Sequence, residues 1–128
     1  MQALGWTLVF TDASLEHLSE RDIGADDVAD AVFGRHGPAR VRRSGRGART
    51  RWFIVAPLDS GEFLTCILRP AEPRDLDEQG VFVVPPGREA DQRADFDASM
   101  RMCVSARISA LDEVRSYRSW RRIKGGRR

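Results

Sequence analysis

At 128 residues and 41% hydrophobic content, the chain is long enough for one domain with a single modest core, and it lacks any apolar run near the roughly 18 to 20 residues of a membrane span. Leu4 to Phe10 is too short and too interrupted for a signal peptide, so a soluble, cytoplasmic protein with no membrane partner is expected. The net charge of +2 hides an asymmetry: residues 35–51 hold seven arginines and no acid, residues 115–128 hold six arginines and Lys124 and no acid, and residues 70–100 hold eight acids against three arginines.

The first predicted element is a short strand at Trp6 to Phe10 that ends at Thr11-Asp12. Thr11 or Asp12 supplies the N-cap of a short helix running toward Arg21, with Leu15 and Leu18 on one face. Gly24 breaks the chain, and Asp26 and Asp27 then sit in the first turn of a second helix, where acids favour the helix dipole. Val28, Ala31 and Val32 form its apolar stripe and Gly34 ends it.

After Gly37-Pro38 the period changes to two. Ala39 to Ser44 is a predicted strand with Val41 on one face and Arg40 and Arg42 on the other, followed by a turn at Gly45 to Gly47. Trp52 to Ala56 is apolar on both faces, the pattern of a central strand covered on both sides. Asp59-Ser60-Gly61 turns into a strand at Glu62 to Arg69, where Leu64, Cys66 and Leu68 alternate with Phe63, Thr65, Ile67 and Arg69; so short a loop makes the pair antiparallel. Residues 70–100, rich in proline and acid, are expected to form an insertion or mobile loop, with one apolar island at Val81 to Val84 that fits an edge strand.

Met102 to Arg107 resumes the sheet, with Met102, Val104 and Ala106 expected inward and Cys103, Ser105 and Arg107 on the opposite face. Ser109 can cap the last helix. Its apolar series Ile108, Leu111, Val114, Tyr117, Trp120, Ile123 steps by three and so drifts about 60° per step, too much for one face. The first half of the helix is expected to pack, leaving Trp120 and Ile123 to leave the core or dock elsewhere. Cys66 and Cys103 lie in predicted strands with no Cys or His at ligand spacing, so buried free thiols are expected, and no metal or other cofactor. Together these elements predict an α+β fold: an antiparallel sheet of about four strands with N-terminal helices and a C-terminal helix, in one domain over 1–128.

Of the 21 basic residues 20 are Arg, whose planar guanidinium binds phosphate as a fork and stacks on bases. If register holds, Arg40, Arg42, Arg69, Ser105 and Arg107 line a common sheet face or edge, and a basic sheet is a phosphate-binding surface. The plain alternative is a set of arginines that solvate an open face or pair with the acids of 70–100. Metal-free RNA cleavage needs a group to deprotonate the 2′-hydroxyl, cations to stabilise the phosphorane, and an acid for the departing 5′-oxygen. Arg69 and Arg107 are the candidate phosphate clamps. Tyr117 is a candidate for orienting RNA or assisting proton transfer, or it packs on the sheet. Glu113 precedes it by one turn and is either a candidate base or an ion-pair partner of Arg107. Arg40, Arg42, Arg43, Ser105, Arg118 and Trp120 are candidate nucleic-acid contacts, whereas His17 and His36 fit exposed or structural positions as readily as catalysis.

Written as V-S-A-R-(x5)-E-(x3)-Y, the run from Val104 to Tyr117 resembles the closing segment of the BrnT-type toxins, small ribonucleases related to the RelE superfamily of toxin-antitoxin systems. The order of elements is also similar, with Arg21-Asp22-Ile23 ahead of Asp26-Asp27-Val28, and it resembles the neighbouring DUF4258-type domains as well. The resemblance implies a RelE/BrnT-like domain: an endonuclease of mRNA, acting free or on the ribosome, that arrests translation and is neutralised by a small cognate antitoxin protein. Carried over by motif, it implies Ser105, Arg107, Glu113 and Tyr117 as the site. Arg21 stands where BrnT proteins commonly have His in a K-H-G-V motif, and Asp22 stands where they have glycine. A noncatalytic nucleic-acid- or partner-binding protein of the same fold is the alternative expectation.

Overall fold

The computed structural model describes residues 5–76, 80–83 and 99–125. Nine elements follow in chain order: β1 (Thr7–Thr11), α1 (Asp12–Ser19), α2 (Ala25–Val32), β2 (Arg40–Ser44), β3 (Arg51–Pro57), β4 (Phe63–Pro70), β5 (Gly80–Val83), β6 (Met100–Ile108) and α3 (Leu111–Gly125). Local chemistry accounts for the early boundaries. The Thr11 hydroxyl accepts the Ser14 N–H at 3.2 Å and Ser14 Oγ accepts the Thr11 N–H at 2.9 Å, a reciprocal cap that starts α1. Gly45 closes the β2–β3 turn at φ 80°, where a Cβ would lie 2.3 Å from the Arg49 carbonyl oxygen.

The fold is α+β, and its sheet has six strands in the order β2-β3-β4-β6-β1-β5. That differs from the expected antiparallel sheet of about four strands in two ways. β5, from the acidic segment, adds an outer edge antiparallel to β1, while β1 and β6 pair parallel, Leu8 opposite Arg101 and Val9 opposite Met102. Partners so distant in sequence leave no local pattern in either strand. Within 70–100 the described residues are the end of β4, a tight helical turn at Pro73–Leu76, β5, and the start of β6; Val84 and the rest of the expected loop lie outside the described residues.

One face of the sheet carries the main core. Leu18, Ile23, Val28, Ala31 and Val32 from the α1–α2 layer pack on Leu8, Phe10, Trp52, Ile54, Ala56, Leu64, Cys66, Leu68, Cys103 and Ala106. Each large aliphatic side chain buried there contributes about 1.5 to 3 kcal/mol. Cys66 and Cys103 are free, and burial pushes the Cys103 thiol up to about 12 and Cys66 also well above its ordinary value. At one end of this layer the Arg101 guanidinium lies 4.3 Å from the Trp52 ring centroid and 5.3 Å from that of Trp6.

Three expected side-chain placements are corrected. In β6 the pairing shifts between Ile67 opposite Ser105 and Leu68 opposite Cys103, so Val104 bulges outward. The bulge reverses parity: Cys103 and Ala106 both face the core, Val104 is exposed, and Met102 joins a small second cluster with Val9, Ala71 and Met100. In β3, Trp52, Ile54 and Ala56 are buried but Phe53 and Val55 only half-buried, so this strand is fully covered on one face rather than two. In α3 the middle of the helix packs instead of its first half, with Tyr117 4% exposed against Leu111 at 65% and Ile123 at 57%. No helix among the described residues is long and apolar enough to cross a membrane.

Candidate nucleic-acid interface

Charge separates by layer. Strands β2, β3, β4 and β6 carry seven arginines and no Asp or Glu, whereas α1 and α2 carry five acids and no Arg or Lys. The acidic helices cover the core face, and five of the seven arginines, Arg40, Arg42, Arg51, Arg69 and Arg107, lie on the opposite face, which makes it the more basic side, with α3 packed across one end of it. Strand register sets its rows. Arg40 lies opposite Val55, Val55 opposite Thr65, and Thr65 opposite Arg107; in the next row Arg42 faces Phe53, Phe53 faces Ile67 and Ile67 faces Ser105. Residues paired this way have Cβ atoms roughly 5 Å apart on one face. The expected common face of Arg40, Arg42, Arg69, Ser105 and Arg107 is therefore present, with the bulge at Val104 keeping Ser105 and Arg107 in step with it.

Arg107 and Glu113 form a forked pair, Nη1 to Oε1 at 2.6 Å and Nη2 to Oε2 at 2.8 Å. Hydrogen bonding from Arg107 holds the Glu113 carboxyl below its ordinary range, and the carboxylate in turn keeps Arg107 protonated. Glu113 also caps α3, accepting the Ala110 N–H at 2.7 Å. Ser109 does not act as the cap; its hydroxyl lies 2.7 Å from that of Thr65 and ties the helix entry to β4. Arg40 donates to Ser116 Oγ at 2.7 Å. A cleft of about 220 Å³ opens here, with Arg40, Arg42 and Val55 on the sheet side and Asp112, Glu113, Ser116 and Tyr117 on the helix side.

Tyr117 lies in this cleft wall with its hydroxyl donated to the Pro38 carbonyl at 2.6 Å and its ring 5.1 Å from Phe63 and 5.4 Å from Trp120. Burial raises its pKa. Gly37 passes under this contact, where a Cβ would sit 2.6 Å from Pro57 Cγ. The other candidates separate. Arg118 lies with its guanidinium 5.6 Å from the Phe63 ring, at the rim. Arg43 pairs with Trp52 and so belongs to the opposite face from Arg40 and Arg42. Arg69 is on the basic face, four residues along β4 from Thr65, the partner of Arg107, which is about 13 Å of strand.

Arg69 is also engaged, its fork on Asp75 at 2.9 and 3.0 Å. Burial works to raise the Asp75 pKa, but hydrogen bonds from Arg69 and the Glu72 N–H outweigh it and hold the carboxyl below its ordinary range. His36 lies near Asp30 and Asp59, and His17 near Glu20. Arg21 reaches the strand preceding the helix site by donating to the Ala106 carbonyl at 3.1 Å. Among the described residues no group of three or more His, Cys, Asp or Glu is placed to hold a metal. Arg51 and Phe53 are the face residues that sequence reasoning passed over. Their signal was the period of β3, which puts both on the side of Arg40 and Arg42.

No family model matches this chain, and neither any curated protein nor any solved structure matches it.

Proposed function

We propose that this chain binds RNA along the basic face of its sheet and acts as the ribonuclease of a toxin-antitoxin pair, cutting mRNA in the cytoplasm without a metal and stopping translation, with a small antitoxin protein as its partner. The observation that carries the reading is the in-register set Arg40, Arg42, Ser105 and Arg107 on strands that hold no acid. The likeness of Val104 to Tyr117 to the BrnT-type closing segment supports it. So does the backbone of Asp22, which has φ 57° at the position where those toxins have glycine.

The chemistry follows from exchange of the Arg107 partner. A phosphate that takes the guanidinium fork releases Glu113, whose carboxylate then loses the contact that weakens it as a base. Glu113 accepts the 2′-hydroxyl proton, the 2′-oxygen attacks phosphorus while Arg107 offsets the added charge, the bond to the 5′-oxygen breaks, and that oxygen takes a proton from water. Tyr117 acts as an anchor of the 37–38 turn through its bond to Pro38.

A second reading, a noncatalytic binder of RNA or a partner, is favoured by one observation: Glu113 and Tyr117 both already hold structural hydrogen bonds. Induced expression separates the two. The toxin reading expects growth arrest that Arg107→Ala relieves and Tyr117→Phe preserves, together with RNA cleavage in chelator by purified protein. Normal growth with abundant folded protein refutes it. Salt-dependent RNA binding without cleavage establishes the second reading.

A further inference from the structure

Among the described residues, α3 and the turn at Pro73–Leu76 both lie on the basic face, and between them a strip of sheet has apolar side chains in neither core. α3 covers one end through Tyr117 on Phe63 and Ser109 on Thr65, and the turn at Pro73–Leu76 covers the other through Leu76, packed on Val9, Ala71 and Met100. Phe53 and Ile67, cross-strand partners in the intervening row, are half-buried and belong to neither buried cluster. Arg42 flanks Phe53 on β2, and Arg51 lies two residues before it on the same face, about 7 Å along the strand. Arg51 gives one terminal nitrogen to the carbonyls of Ala48 and Thr50, and among the described residues neither Arg42 nor Arg51 is paired with a carboxylate.

We infer that this strip is a stacking platform for single-stranded RNA, in which a base lies on the Phe53 ring and Arg42 and Arg51 take the phosphates on either side. The inference rests on the proposed RNA binding and names the form of RNA that the face accepts. A partly exposed aromatic beside guanidiniums that hold no carboxylate among the described residues fits an unstacked base, because every base offers a flat π-face to the ring while the backbone meets the cations. A duplex keeps its bases stacked inside and offers this surface only phosphates, so Phe53 contributes nothing to duplex binding.

The test is titration of a short labelled single-stranded RNA and of its duplex, by fluorescence anisotropy, with Phe53→Leu, Phe53→Tyr and Arg42→Ala proteins. Phe53→Leu is expected to weaken single-strand binding about tenfold or more, the loss of one stacked base, and to leave duplex binding unchanged. Phe53→Tyr retains both, and Arg42→Ala weakens both. Ultraviolet cross-linking of the wild-type protein to the single strand is expected to map to the β3 peptide, a readout independent of any variant's folding. Full single-strand affinity in folded Phe53→Leu, or cross-links confined to α1 and α2, overturns the platform. If Arg42→Ala still weakens binding in that case, RNA binding by the basic face survives; if the wild-type protein binds no RNA at low salt, both fall.

Discussion

Replacing Glu113 with alanine should destabilise the fold and tighten RNA binding together. The carboxylate is third in α3, caps the helix through the Ala110 N–H at 2.7 Å, and holds the Arg107 fork at 2.6 and 2.8 Å. Losing the cap costs about 1 kcal/mol. The ion pair adds no more than about 1 kcal/mol, because the Arg107 side chain is 47% exposed and solvent screens it. The total of about 1 to 2 kcal/mol corresponds to a fall in Tm of roughly 4 to 10 °C for a domain of this size. The same change frees one guanidinium and removes one negative charge from the cleft, so affinity for single-stranded RNA should rise at low salt. A phosphate then no longer has to displace Glu113 from the Arg107 fork, so the gain in affinity should be largest at low salt and shrink as salt rises. Thermal unfolding by circular dichroism and anisotropy titrations over a salt series measure both arms. An unchanged Tm, or weaker binding at low salt, refutes the reasoning. If Glu113 is also the base, cleavage falls in this variant while binding rises.

Asp75→Asn should lower stability at neutral pH by about 2 to 3 kcal/mol, since it breaks a largely buried pair whose Arg69 partner keeps some access to solvent. The Asp75 pKa is depressed in the folded state, so its contribution is present above the unfolded value of about 3.9 and is lost as pH falls through the lower folded value. The gap between wild type and variant in urea unfolding should therefore be constant near neutrality and narrow in acid; a gap independent of pH contradicts this account. At Asp22, with φ 57°, glycine should stabilise by up to about 1 kcal/mol and valine should destabilise, because a β-branched side chain tolerates the left-handed region worst. Equal chemical-denaturation midpoints for the two variants would be the contrary result.

Much of the site was legible before the fold. Alternation in β2 put Arg40 and Arg42 on one face with Val41 on the other, and alternation in β4 put Leu64, Cys66 and Leu68 into the core. These assignments follow from a period of two that the backbone imposes on any strand. Cys103 was misread because one bulged residue, Val104, reverses parity partway along β6, and nothing local in M-C-V-S marks it. Ser109 was misread as a cap because a hydroxyl before a helix has two uses, and the proximity of Thr65 decided for the other. The engagement of Arg69 by Asp75 depends on a tight turn that brings six residues back on themselves.

What the amino-acid order determined by itself was local: helix starts at Thr11 and before Asp26, strand faces, and a C-terminal run that puts Ser105, Arg107, Glu113 and Tyr117 within one strand–helix unit. What only the tertiary structure decided was partnership. It made β1 an interior strand parallel to β6, set the acidic helices against one face and Arg40, Arg42, Arg51, Arg69 and Arg107 on the other, and laid Arg42, Phe53, Ile67 and Ser105 in a row across four strands. The physical reason is range. Capping and alternation act within a few residues of chain, whereas strand pairing and the burial of a face join residues tens of positions apart, and those contacts are chosen by the packing of the whole core.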